Sequence, residues 1–330
     1  MTQIFLTSDF SSPSIIIFKK KSFMKTDIYA CSKPLQYFNA RNIPESFHPG
    51  YKRILIIITY FYNADKFVEM VRANDKSWDE VVKVSSVASF YKYLLLHHFN
   101  SLIYGYDTST VLGIIHMLRK YDFYVLEEGI GTYLPSDSGK KKNFIQTLVD
   151  NASGISTEWG HTKFVKGAFV YYPNLYKSLR IPKFEPLDFA KPFVDKVRED
   201  EKFFMTLCGL LNGELLSIKN GRILLYITEW NFNKNILEKM TQERMKFDYV
   251  IVKPHPHITD FSLLDGYNFS IIKTNLMVEF LLSHWLGGNN KITVYHEGST
   301  SIFYYKDFVD AIDLSPNRDN TYHKLIRGEF

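Results

Sequence analysis

The stretch Arg53-Ile54-Leu55-Ile56-Ile57-Ile58-Thr59-Tyr60 decides the architecture. Five consecutive aliphatic side chains leave no polar alternation, so a strand built from them must be covered on both faces. A second run of the same kind, RILLYIT, occupies residues 222–228. Strand-like and helix-like segments alternate outward from the first run. Strands are expected at 27–31, 80–85, 101–104 and 123–126, and helices at 34–43, 64–74, 88–98 and 110–120. Pro34 suits the first position of its helix. From the second run follow a helix at 233–246, a strand at 249–253, a helix at 277–286, a strand at 292–295 and a helix opening at 300–305. The middle is less regular. It holds a polar loop at 136–142, an extended piece at 169–175, a crossover punctuated by Pro182, Pro186 and Pro192, and two helices at 194–202 and 203–211. Repeated βα units predict parallel sheets with helices on both faces. The expectation is an α/β chain with two Rossmann-like domains facing across a cleft. Residues 1–190 form the N-terminal domain and 191–330 the C-terminal one.

Composition agrees with a folded enzyme or binding protein. Of 330 residues, 45% are hydrophobic, enough for a sizeable core. The 23% charged fraction is near the globular average and argues against disorder. A net charge of +5 is too dilute for a nucleic-acid-binding domain, so no nucleic-acid partner is expected. It suits an anionic substrate or an anionic membrane surface. Cys31 and Cys208 lie in apolar surroundings and read as buried free thiols of a reducing compartment, with a single disulfide as the alternative. No Cys/His cluster has zinc-ligand spacing. No apolar run approaches the ~20 residues that span a bilayer. The apolar piece 14–18 is followed by Lys19-Lys20-Lys21, whereas a secretory signal carries its charge in front. Residues before Met24 read as an extension. Lys19-Lys20-Lys21 and Lys140-Lys141-Lys142 are either solvated surface, contacts with anionic lipid or guides for a polyanionic glycan.

Ligands of such sheets lie outside the carboxyl ends of the strands. Three strand ends there carry chemistry. The strand at 123–126 runs into Glu127-Glu128-Gly129. One carboxylate can enter the cleft as a general base while its neighbour turns away, and the glycine permits a tight turn. An ordinary turn with solvated acids explains this stretch equally well by itself. The strand at 249–253 ends in Lys253, then Pro254-His255-Pro256-His257. Two prolines hold His255 rigid, so its imidazole can donate to a leaving phosphate, and Lys253 adds positive potential. The alternative is a braced loop with surface histidines. The strand at 292–295 leads to Gly298-Ser299-Thr300-Ser301 at a helix start, a pattern that serves either as a phosphate cradle or as a plain N-cap. Tyr226, Thr228 and Glu229 end another strand and are candidate pocket residues. Glu279, at a helix start, is a candidate to hold a ribose hydroxyl.

In their order along the chain these motifs resemble those of the bacterial GT-B sialyltransferases. These include the lipooligosaccharide sialyltransferases of glycosyltransferase family 52 and the capsular polysialyltransferases of family 38. The acidic motif is Glu127-Glu128-Gly129, the HP motif His255-Pro256, and the serine/threonine motif Ser299-Thr300-Ser301. The segment Cys31-Ser32-Lys33-Pro34-Leu35-Gln36 also resembles the C-x-x-P-L-Q opening of family 52. The likeness spans about residues 24–305. It implies an inverting, metal-independent transfer from CMP-sialic acid to a lipooligosaccharide or capsular glycan, with no cofactor. It implies Glu128 as base, His255 on the departing phosphate, and Ser299, Thr300 and Ser301 holding that phosphate. Many members carry Asp where this chain has Glu128, and the extra methylene leans toward the polysialyltransferase branch. A cytoplasmic enzyme, or one at the inner face of the bacterial inner membrane, is the expected setting. Two other readings stay open at this stage: the same scaffold using another nucleotide sugar, and a non-catalytic glycan- or nucleotide-binding protein.

Overall fold

The computed structural model describes residues 24–134, 144–210, 216–315 and 324–326. The first series runs β1 (Thr26–Cys31), α1 (Pro34–Arg41), β2 (Lys52–Ile58), α2 (Ala64–Asn74), β3 (Glu80–Val84), α3 (Val87–Leu96), β4 (Ser101–Tyr104), α4 (Thr110–Arg119) and β5 (Asp122–Leu126). It continues with α5 (Phe144–Ser153), β6 (Val165–Val170), α6 (Pro173–Arg180) and β7 (Leu187–Asp188). These strands form one parallel sheet in the order β3-β2-β1-β4-β5-β6-β7. Leu55, Ile56, Ile57 and Ile58 of β2 are fully buried, as a continuous aliphatic run between two helix layers requires. Each contributes roughly 1.5–3 kcal/mol by leaving water.

After α7 (Phe193–Leu207) the second series runs β8 (Arg222–Ile227), α8 (Lys234–Glu243), β9 (Tyr249–Lys253), β10 (Ser270–Ile271), α9 (Val278–Gly287), β11 (Lys291–His296), α10 (Thr300–Tyr305) and β12 (Asp310–Asp313). Its five strands are parallel in the order β10-β9-β8-β11-β12. In both sheets the order reverses beside the first strand, at β1/β4 and at β8/β11. A crevice opens at the carboxyl ends of such a reversal.

The middle of the chain departs from the sequence reading. The expected extended piece at 169–175 is the end of β6 followed by α6. Pro173 takes the first helical position of α6, where its missing N–H costs nothing. The two helices expected at 194–202 and 203–211 are the single α7. The charged run Asp195–Lys202 masked its stripe, which continues through Phe193, Val197, Asp200, Phe204 and Leu207. Asp200 is buried because Lys196 and Arg41 pair with it, at 3.2 and 3.4 Å. Helix α5 and the short strands β7, β10 and β12 were not anticipated. The loop expected at 136–142 and the basic triplets lie outside the described residues.

Helix α7 ties the two sheets together. The Phe193 ring stacks on Tyr304 of α10 at 3.7 Å and meets Phe38 of α1 edge-on. Phe204 stacks on Phe280 of α9 at 4.4 Å and touches Tyr37 and Phe38. One hydrophobic core therefore runs from the first sheet through α7 into the inner face of the second. A smaller core covers that sheet's outer face around Leu224, Tyr226, Leu237 and Val252. Cys31 and Cys208 are free thiols; burial raises the pKa of both, that of Cys208 to about 12.

Candidate active site

Glu127 and Glu128 follow β5 and point in opposite directions. Glu127 is fully buried. Its Oε2 accepts from the Tyr133 hydroxyl at 2.5 Å and the Tyr171 backbone N–H at 2.7 Å. Its Oε1 accepts from the hydroxyl of Tyr304, which α10 brings from the second sheet. Burial pushes the carboxyl up to about 7, and the three donors only partly offset it. This side chain lies at the joint between the sheets, behind the pocket rather than in it.

Glu128 faces the cleft, and the segment around α1 holds both of its oxygens. The Gln36 amide donates to Oε1 and the Lys33 ammonium pairs with Oε2. Gln36 is itself fixed, because its Oε1 accepts from the Ser32 N–H at 2.6 Å and the Ser32 hydroxyl at 3.2 Å. The Lys33 ammonium is pulled down by burial. The Glu128 charge and Tyr106 outweigh that, so its pKa is raised. Gly105, just after β4, leaves room for this carboxylate, since a Cβ there would overlap Glu128 Oε1. Gly129 sits at φ 81°, and a Cβ on it would overlap the Thr300 methyl. Glycine at 129 therefore serves both the backbone conformation and the close approach of α10.

On the opposite wall the second sheet supplies the remaining groups. The His255 backbone N–H donates to Thr228 Oγ1 at 2.8 Å. His255 Nδ1 accepts the His257 N–H at 3.3 Å, so the neutral ring carries its proton on Nε2. Burial, then His257, Lys253 and Lys33, depress the imidazole to about 4. Trp230 stacks on both histidines, at 4.7 and 4.8 Å. Lys253 is buried and donates to the carbonyls of Pro254 and Thr274, at 3.1 and 2.9 Å. Burial lowers its pKa to about 8. Glu279 accepts the Ser301 hydroxyl at 2.9 Å, and burial raises its carboxyl.

A cavity of about 290 Å³ gathers these residues. Glu128, Thr228, Lys253, His255, Glu279, Gly298, Ser299, Thr300 and Ser301 all line it, while Glu127 and Gly129 support it from behind. Two expectations need correction. Tyr226 is not in the pocket. Its ring belongs to the outer core and its hydroxyl donates to Glu297 at 2.8 Å. The Gly298 and Ser299 amides are not aimed at a ligand, because His296 Nδ1 accepts both, at 3.1 and 3.3 Å. Lys33, Gln36 and Trp230 had no assigned part in the sequence reading. The only signal for the first two was the C-x-x-P-L-Q opening, and Trp230 gave none. Among the described residues no three His, Cys, Asp or Glu side chains are grouped as a metal site.

No protein-family model matches the sequence, and no characterised protein matches it either. Solved structures do match in three dimensions. A galactoside α-2,3-sialyltransferase from Photobacterium phosphoreum aligns with TM-score 0.57 and 11% identity, over 92% of this chain and 95% of that one. The fold is GT-B. A putative UDP-N-acetylglucosamine 2-epimerase from Listeria monocytogenes aligns at 0.55 and 10%, over 91% and 81% of the two chains. The wall teichoic acid polymerase TagF aligns at 0.50 and 14%, over 91% and 71%. A GT-B scaffold thus hosts both transfer and epimerisation among these neighbours, and the chemistry has to be argued from the site.

The buried Glu127 makes a pH prediction. A carboxyl whose pKa is raised from 4.5 to about 7 by folding retains its proton in the native state across that window. Folding then takes up protons, so this group's contribution to stability is lost as pH rises through it. Urea unfolding of wild type and Glu127→Gln across pH 4.5–7.5 should show the wild type losing up to roughly 3 kcal/mol relative to the variant. A constant gap across that range would mean that folding leaves the pKa of Glu127 where it stands in the unfolded chain.

Proposed function

We propose that the protein is an inverting, metal-independent sialyltransferase that moves sialic acid from CMP-sialic acid onto a glycan acceptor. The observation that carries this reading is the pairing across one cavity of Glu128, from the first sheet, with Lys253 and His255, from the second. The motif resemblance, spread from Cys31 to Ser301, favours CMP-sialic acid as donor. The GT-B fold shared with a sialyltransferase is compatible with it.

In this mechanism the acceptor hydroxyl approaches from the side of the first sheet. Glu128 takes its proton as the oxygen attacks the anomeric carbon. Gln36 and Lys33 hold the carboxylate in one rotamer, so the base is positioned before the acceptor arrives. The C–O bond to CMP breaks on the opposite face of the sugar, through an oxocarbenium-like transition state. His255 Nε2–H donates to the phosphate oxygen that gains charge, and Lys253 and Lys33 supply positive potential. A single phosphate needs less neutralisation than a diphosphate, which these fixed groups meet without a divalent ion. Thr300 binds the phosphate, and Ser301 joins it by turning its hydroxyl proton from Glu279 to a phosphate oxygen.

Two measurements test the proposal. CMP release from CMP-sialic acid should depend on a galactoside or sialoside acceptor and persist in EDTA. Turnover of a different nucleotide sugar alone would displace the donor assignment, and tight CMP binding without any turnover would make this a binding protein. A proton NMR titration should place His255 near pH 4 in the free protein, and at least about one unit higher with CMP bound, because a neighbouring phosphate favours the imidazolium. An unchanged titration would remove His255 from the phosphate site.

A further inference from the structure

Lys33 breaks a local rule. It is the N-cap of α1, a position that favours a side-chain oxygen able to accept from the first helical N–H groups, and where the helix dipole disfavours a cation. Its side chain makes no cap hydrogen bond. It lines the cavity instead, where its ammonium pairs with Glu128 Oε2 and lies 5.9 Å from the centre of the Tyr106 ring. Where a residue opposes its own helix, a contact made for function is the physical reason to look for.

Among the described residues that line the cavity, the lysines are Lys33 and Lys253, and there is no arginine. Lys253 is tied to the carbonyls of Pro254 and Thr274. Lys33 is better placed to receive a ligand. Its stem is flexible, its ammonium has three N–H donors, and 31% of its side chain is exposed. Its charge also helps to depress the His255 and His257 imidazoles, so its field reaches from the base to the leaving-group side. In the transfer proposed above, the reacting carbon lies between these same groups: the oxygen attacks it from Glu128 and the phosphate leaves toward His255. Sialic acid carries a carboxylate on that carbon. This carboxylate and Glu128 would repel each other around the reaction centre unless a cation stood between them. We infer that Lys33 receives the carboxylate of the donor sugar, sharing its ammonium between that group and Glu128, and so selects a sugar acid over a neutral sugar. The contact draws the ammonium off Glu128 Oε2 and leaves that oxygen open to the acceptor's proton, while Gln36 keeps hold of Oε1. This inference rests on the donor proposed above.

The test is calorimetric titration of the full chain with CMP, with the slow-reacting donor analogue CMP-3-fluorosialic acid, and with the methyl ester of that analogue at its carboxylate. The wild type should bind the acid at least about tenfold more tightly than the ester. Lys33→Gln should bind the acid at least about tenfold more weakly than the wild type does, and should bind acid and ester alike. Its affinity for CMP, which lacks the carboxylate, should stay within about threefold of wild type. A lysine that only positions Glu128 would move none of these ratios. Equal binding of acid and ester by the wild type would overturn the inference without recourse to any variant. So would discrimination by Lys33→Gln equal to that of the wild type, or an equal loss of affinity for CMP and for the acid. Wild-type transfer from CMP-sialic acid, assayed alongside, separates the two proposals. Transfer without discrimination between acid and ester removes Lys33 and leaves the donor assignment standing, whereas no transfer together with no binding of the acid removes both.

Discussion

A carboxyl group without water organises this molecule. Glu127 is enclosed at the end of β5, and its oxygens accept from Tyr133 beside it, from the backbone of Tyr171 beyond β6, and from Tyr304 of α10. An unpaired polar group buried there would be expensive, so these donors are obligatory partners and not optional contacts. Because Tyr304 comes from the second sheet, satisfying Glu127 also sets how α10 meets the first. Gly129 then lies against Thr300, and the turn that presents Glu128 is placed beside the serine/threonine segment. The aromatic stack of Phe193 on Tyr304 reinforces the same joint through α7.

The pocket on the other side of that joint is electrostatically unbalanced. Lys253 and His255 are both driven toward their neutral forms, mainly by burial, and His255 also feels Lys253 and Lys33. An anion entering such a site relieves the repulsion among the cations and restores their charge. The phosphate of the proposed donor would supply such an anion in a pocket that Glu229 and Glu279 also line. The carboxylate of Glu128 is kept from opposing it by its pairing with Lys33. In this account the α1 segment positions the base, and the β9 turn receives the leaving group.

Much of this was legible in the chain. The aliphatic runs at 53–60 and 222–228 require strands covered on both faces, and the βα alternation around them follows. The opposed directions of Glu127 and Glu128 follow from simple strand alternation. What escaped the sequence was non-local. The stripe of α7 was hidden because Lys196 and Asp200 look exposed until Arg41 pairs with Asp200 from another element. Gln36 and Lys33 reach Glu128 only once β1 and β5 are brought to the same edge of the sheet. The capture of the Gly298 and Ser299 amides by His296 likewise depends on a rotamer that no spacing reveals.

The central claim is that Glu128 performs proton transfer while the second sheet binds the donor. The most direct measurement is single-turnover transfer by Glu128→Gln beside calorimetric titration of the same variant with CMP. The account predicts that transfer falls by about a hundredfold or more while CMP affinity stays within about twofold of wild type. Transfer at the wild-type rate by Glu128→Gln would contradict it.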